Sequence, residues 1–281
     1  MDKDLNLEHL KQKMSERLAA DAELLGSADI PKGDLGRLLC TADVGCDHGY
    51  ISMYLVMRGI SERAIAMDVR KGPLSAASGN VAEFGLEDNI ELRLSDGLSE
   101  LKPGEADSVV IAGMGGKLMM SILDRADVAG LGIRIGVLQP QSDIMLFRLY
   151  LRQKGYLITD ERIVFEEGKY YFPMLVDFAP VSDNCNEKVR ELADRIRSSL
   201  PEGQDPFETA IRLSDRYGIF NIHRRDKLLT SYLLHGREVD KSILSGLDKN
   251  EHRDRYLEVD TELRDIEVLL QIGGNYAEDH Y

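Results

Sequence analysis

Residues 42–50 read Ala-Asp-Val-Gly-Cys-Asp-His-Gly-Tyr and close an apolar run that begins at Leu39. Gly45 and Gly49 free the backbone to turn sharply and to approach a ligand without a Cβ clash. A helix-length segment follows, so its first amides lie beside that turn. This is the first strand-turn-helix unit of a sheet whose ligands bind at the carboxyl ends of its strands. Further apolar runs lie at 64–69, 90–94, 108–112, 133–138, 157–165 and 171–178, separated by segments such as 72–84 and 117–125. The near-continuous apolar character of these runs suits strands buried on both faces of a parallel sheet. The expected fold class is therefore α/β, a doubly wound, Rossmann-like sheet. The last two runs are joined through Glu166-Glu167-Gly168-Lys169, a hairpin signal, so the sheet should end in an antiparallel pair.

Working outward from that core, Leu7, Leu10, Met14 and Leu18 form one stripe of an opening helix expected to cap the sheet. After residue 178 come two breaker-rich joints, 179–184 and 200–206, flanking a helix with Val189, Leu192, Ala193, Ile196 and Leu200 on one face. Tyr256, Val259, Leu263, Ile266 and Leu270 give a seam of about two heptads. The expected organisation is a sheet domain over 1–180 and a helical, coiled-coil-like appendage over 181–281, its simplest form an antiparallel helical hairpin.

Composition narrows the function. The 281 residues carry 35 basic and 49 acidic side chains, a net charge of -14. The acidity is spread, with 20 basic and 28 acidic residues up to 180 and 15 and 21 beyond it. Non-specific polyanion binding needs clustered Lys and Arg, so a nucleic-acid substrate would require a local patch and a specific pocket. No run of about 18 apolar residues crosses a membrane, and the charged first segment has no signal-peptide core. Cys40, Cys46 and Cys185 make no CxxC pair, and the six histidines lack ligand spacing, so neither a disulfide framework nor a metal site is expected. A reducing cytoplasm is the plain reading.

Four pieces of chemistry follow successive strands. The first is the Gly45–Gly49 turn, with Asp43 either supporting a ligand or holding the turn through backbone amides. The second is Asp68, 25 residues after Asp43, where an acid usually holds both hydroxyls of a ribose; its bland alternative is a helix cap. The third is Asp96-Gly97, an ordinary turn or an acceptor for the exocyclic amine of an adenine. The fourth, Ala112-Gly113-Met114-Gly115-Gly116, is read as a loop too small to carry functional side chains but open to close backbone approach. The nicotinamide fingerprint G-x-G-x-x-G is absent. The nucleoside implied is S-adenosyl-L-methionine, which has no pyrophosphate to cradle.

These motifs also resemble a known family. ADVGCDHGY (42–50), AIAMDVRKGPLSAA (64–77), SDGLSELKPGEADSVVIAGMGGKLM (95–119) and LQPQ (138–141) look like the TrmK family of tRNA (adenine-N1)-methyltransferases, which modify an adenine in the tRNA D-loop region. The resemblance covers roughly residues 15–178. It implies roles for Asp43, Gly45, Asp47, His48 and Tyr50, for Asp68 and Gly72-Pro73, for Asp96-Gly97, and for Ala112 to Gly116. Cys46 and Gly49 stand where the family usually has serine and alanine, and Tyr217-Gly218-Ile219 matches its Phe-Gly-Pro loosely.

The chemistry agrees. Enzymes that methylate an exocyclic amine need acceptor side chains after the fourth strand, whereas adenine N1 already has an in-plane lone pair. A bare glycine loop then suffices, and catalysis rests on positioning and desolvation. Asp47 or His48 is expected to orient the base and Tyr50 to stack on or frame it; for His48 a capping or buried structural role is the alternative. Gln141 is either a base contact or a strand terminator. Arg148, Arg152 and Lys154, and Arg224, Arg225 and Lys227, offer phosphate contacts or, more commonly for such clusters, solvated helix faces. Met114, Met119 and Met120 read as core filler. The competing functions are a small-molecule or protein methyltransferase, and a regulatory or RNA-binding protein that holds the nucleoside without turnover.

Overall fold

The computed structural model describes residues 3–28, 38–179 and 187–273. The chain divides into two compact units, Met1–Asn184 and Cys185–Tyr281. Most of the first joint, 180–184, and Cys185 lie outside the described residues.

In the first unit a seven-stranded sheet has the order β3-β2-β1-β4-β5-β9-β6. Its parallel part is β1 (Leu38–Val44), β2 (Ser61–Asp68), β3 (Ile90–Leu94), β4 (Ser108–Met114) and β5 (Ile135–Pro140). Strand β9 (Met174–Asp177) runs antiparallel to both β5 and β6 (Leu157–Glu161). The doubly wound sheet and its antiparallel edge are therefore both present. Alternation explains the unbroken apolar runs. Ala64, Ala66, Val110 and Val137 join one core cluster, and their neighbours Ile65, Met67, Val109, Ile111 and Leu138 are buried too. Helices α3 (Tyr50–Met57), α4 (Lys71–Glu83), α5 (Gly116–Arg125) and α6 (Ile144–Gln153) connect these strands.

Three local expectations are corrected. The opening helix is two helices, α1 (Lys3–Lys13) and α2 (Glu16–Gly26), because Ser15 caps the second by accepting from the Leu18 amide at 3.3 Å. The runs 157–165 and 171–178 are not continuous strands. Each breaks, and Val164–Glu166 (β7) pairs with Lys169–Tyr171 (β8) as a separate two-stranded ribbon. Its turn places Glu167 and Gly168 at φ 49° and 77°. Residues 112–114 continue β4 rather than forming a loop: the register shifts between Ala112 and Met114, and Gly113 takes φ 79° at that bulge.

The second unit holds more than a hairpin. Helices α7 (Glu187–Ile196), α8 (Pro206–Tyr217) and α9 (Ile219–Arg224) precede α10 (Lys227–Gly246) and α11 (Arg253–Gly273), which pack together. Asp205 caps α8 by accepting from the Phe207 and Glu208 amides, with Pro206 at the first helical position. Of the seam residues, Val259 and Ile266 are buried. Among the described residues no helix is long and apolar enough to cross a membrane.

Candidate functional site

A cleft of about 370 Å³ opens over the carboxyl ends of β1, β2 and β4. Its floor begins with Asp43 at the end of β1. Asp43 is 2% exposed and accepts, at Oδ2, the Ser52 hydroxyl (2.7 Å) and amide (3.2 Å) from α3. Its Oδ1 takes no hydrogen bond among the described residues. Burial, with the neighbouring Asp68 charge, pushes the Asp43 carboxyl up to about 6, against the opposing pull of the Ser52 bonds.

The turn after β1 is held in an unusual backbone. Gly45 and Gly49 have φ of 77° and 74°, and Asp47 adopts φ 48° without being glycine. A left-handed aspartate costs on the order of 1 kcal/mol, so the loop shape is imposed by its surroundings. A Cβ at Gly45 would occupy the place of the Met114 methyl, which ties the turn to the end of β4. Met114 is thus a wall of the cleft rather than core filler, whereas Met119 is fully buried. Cys46 is buried, and burial pushes its thiol far up, so it is no nucleophile.

Asp47, His48 and Tyr50 share one rim. The imidazole of His48 stacks on the Tyr50 ring, with centroids 5.5 Å apart and 21° between planes. His48 Nε2 lies 3.8 Å from Asp47 Oδ2, and both side chains are about half or more open to solvent. The His48 carbonyl accepts from Asn80, and its ring is not buried, so the buried structural role is excluded.

On the neighbouring strand Asp68 is 5% exposed, accepts the Arg70 amide at Oδ1 (2.8 Å), and lines the cleft. Asp96 also lines it, but its two oxygens hold the Arg125 guanidinium at 2.6 and 3.2 Å, and these bonds keep its carboxyl below the usual range. An exocyclic amine would share the remaining lone pairs of that carboxylate. Gly97, at φ 63°, packs so that a Cβ would come within 2.9 Å of Ile122. Ala112 and Gly113 form the opposite ledge, while Gly115 caps α5 and does not line the cleft. Val69 and Leu118, 62% and 50% exposed, supply apolar walls on which a flat ring could lie.

The basic clusters sort differently. Arg148 is buried against Glu161, with Nε 2.6 Å from Oε1, so it is structural rather than a phosphate contact, while Lys154 pairs with Asp124 at 2.7 Å on the surface. Gln141 does line the cleft. Sequence reasoning missed Arg17 and Leu18 of α2, Val69, Leu118 and Ile122. The first two reach the cleft only through tertiary packing of α2 against the sheet, for which the local sequence has no signal.

Residues 36–174 match the family described as Methyltransferase domain. A tRNA (adenine(22)-N(1))-methyltransferase of Bacillus subtilis is 37% identical over 159 residues, covering 57% of this chain and 63% of that protein. The aligned stretch thus spans under two thirds of the curated relative. Mycoplasma capricolum TrmK, solved with S-adenosyl-homocysteine, covers 92% of this chain and 98% of its own at 25% identity and a TM-score of 0.70. The B. subtilis TrmK structure gives the same coverage and identity with a TM-score of 0.67. The chain resembles TrmK proteins in sequence and in fold. The helical second unit falls inside the same structural match.

Proposed function

We propose that this chain is a methyltransferase that uses S-adenosyl-L-methionine to methylate N1 of an adenine in tRNA, in the D-loop region. The observation that carries the reading is one cleft lined by a ribose-type acid, a glycine turn and a ledge without acceptor side chains. The residues fit the nucleoside. Asp68 offers an open oxygen to a sugar diol, Val69, Leu118 and Ile122 offer an apolar slot, and Gly45 and Gly113 leave the space a Cβ would fill. Asp43 Oδ1 faces the same cavity as a partner for an ammonium group, and Asp96 and Gly97 stand at the adenine end. When bound, the cofactor supplies an electrophilic methyl group, which adenine N1 takes with its ring lone pair.

The chain's own task is then to hold the base and exclude water. Asp47 or His48 orients the base edge by hydrogen bonding, and Tyr50 in its stack with His48 offers an aromatic face. The Ala112-Gly113-Met114 ledge brings no proton acceptor to the acceptor atom, and neutral adenine N1 has no proton to lose before attack. The second unit, residues 185–281, would guide the tRNA, and such a substrate goes with a cytoplasmic location.

The direct test is a nucleoside digest of unmodified tRNA treated with the pure protein and S-adenosyl-L-methionine. The expected product is 1-methyladenosine. Label appearing only in protein or small molecules, or in no product at all, overturns the reading.

A second expectation concerns pH. Asp43 titrates at about 6, and its carboxylate form attracts a cationic ligand while its protonated form does not. Cofactor affinity should therefore be full at pH 7.5 and fall as pH drops through 6, to about tenfold weaker at pH 5. Titration calorimetry checks this, and Asp43→Asn should flatten the profile; an unchanged wild-type affinity at pH 5 removes the role.

A further inference from the structure

We propose that Arg17 grips the phosphodiester of the acceptor nucleotide at the ledge side of the cleft, an inference that rests on the RNA-methylating reading above. Among the described residues the cleft is lined by two Lys or Arg side chains, Arg17 and Arg70. Arg70 is 72% exposed and lies by the ribose acid, with Nε 3.7 Å from Asp68 Oδ1. Arg17 stands on the opposite side, at the first turn of α2, and its side chain is 16% exposed.

The guanidinium is built into place rather than solvated. Its Nη1 donates to Gln139 Oε1 at 2.8 Å, and that same oxygen accepts the Gly113 amide at 3.1 Å, so Arg17 is tied to the ledge through one buried glutamine. A Cβ at Gly113 would sit 3.8 Å from Arg17 Nη1. The Tyr171 ring lies 4.9 Å under the guanidinium carbon. Glu166 on β7 accepts the Arg17 amide and stands 3.8 Å from Nε. With these restraints met, Nη2 still has no acceptor among the described residues. A guanidinium with one terminal nitrogen held and the other unused presents a fixed donor to an anion.

The charge is only partly offset. Glu166 is the near counter-ion, while Asp21, one turn further along α2, is fully buried and its carboxyl is pushed well above the usual range by that burial. A chain of net charge -14 whose cleft is lined by Asp43, Asp47, Asp68 and Asp96 repels a phosphodiester wherever no cation is fixed. An adenine extruded into the cleft carries its phosphates with it. Arg17 supplies that cation beside the Gly113 ledge.

The test compares methyl transfer to tRNA by the wild type, Arg17→Gln and Arg17→Lys at several salt concentrations, with cofactor affinity measured on each. Arg17→Gln should raise KM for tRNA about tenfold and leave cofactor Kd within about twofold. The slope of log kcat/KM against log salt should become shallower by roughly 0.7–0.9, the signature of one lost phosphate contact. Arg17→Lys, which keeps the charge, should retain most of the slope. In a separate arm needing no variant, wild-type enzyme meets tRNA carrying a neutral methylphosphonate on either side of the target adenosine. One of the two substitutions should lower kcat/KM by about tenfold. An unchanged slope in Arg17→Gln, or indifference to both methylphosphonates, overturns the role. If the wild type forms no 1-methyladenosine, the underlying reading fails instead, and the two failures are distinct.

Discussion

Asp68→Ala is expected to weaken S-adenosyl-L-methionine binding by a factor of several hundred while leaving the protein folded. Asp68 ends β2 at 5% exposure, and the Arg70 amide fixes its carboxylate through Oδ1. The side chain is therefore pre-aimed, and little rotamer freedom is lost when a diol binds. Hydrogen bonds to a charged acceptor contribute about 1.5–3 kcal/mol each. Two of them to vicinal hydroxyls, less their incomplete additivity, come to roughly 3–4 kcal/mol, a factor of about 200 to 900. The structural loss is smaller, one such bond to a loop amide, about 1.5–3 kcal/mol. Asp68→Asn, which keeps an acceptor oxygen but not the charge, should fall between the two. Calorimetric Kd values for wild type, Asn and Ala check the series. An alanine variant within about threefold of wild type would leave Asp68 as no more than a helix-entry residue.

What was legible before the structure depended on how local each signal is. The parallel core was readable because a strand buried on both faces needs apolar residues at nearly every position, as in 64–67 and 109–111, and no helix of that length hides in such a run. The acids Asp43, Asp68 and Asp96 were readable because strand ends in this topology fall on one edge, so three separate stretches of chain must meet. The bulge at Gly113 was missed, since a glycine after an apolar run reads equally as a loop. The ribbon of β7 and β8 was folded into the edge strands for a similar reason. Its six paired residues follow the same turn signal that a long hairpin would use. Arg17 was invisible: nothing in Ser15-Glu16-Arg17-Leu18 says that α2 packs over β4 and β5. The Arg148 cluster misled in the opposite direction, because a cation at helical spacing looks solvated until its buried partner is known.

That partner sets the largest stability effect expected in this chain. Arg148 on α6 and Glu161 at the end of β6 are 2% and 0% exposed, joined by a 2.6 Å bond, with the Phe172 ring 5.5 Å from the guanidinium carbon. Glu161→Ala removes the anion and leaves a guanidinium where water does not reach. Breaking one side of a buried pair costs about 3–5 kcal/mol, a large share of the 5–15 kcal/mol typical of a domain. Thermal unfolding should shift down by roughly 6–20 °C at about 2–4 °C per kcal/mol. The pair itself need not be favourable, since desolvation of both ions offsets most of their attraction. The double variant Arg148→Met with Glu161→Leu should therefore recover most of the lost melting temperature. It should also keep the salt dependence of the proposed tRNA methylation, because Arg148 is an interior residue that no phosphate reaches. Were the double variant as unstable as the single one, uncompensated charge would not be the cause, and packing of β6 on α6 would have to carry the loss instead.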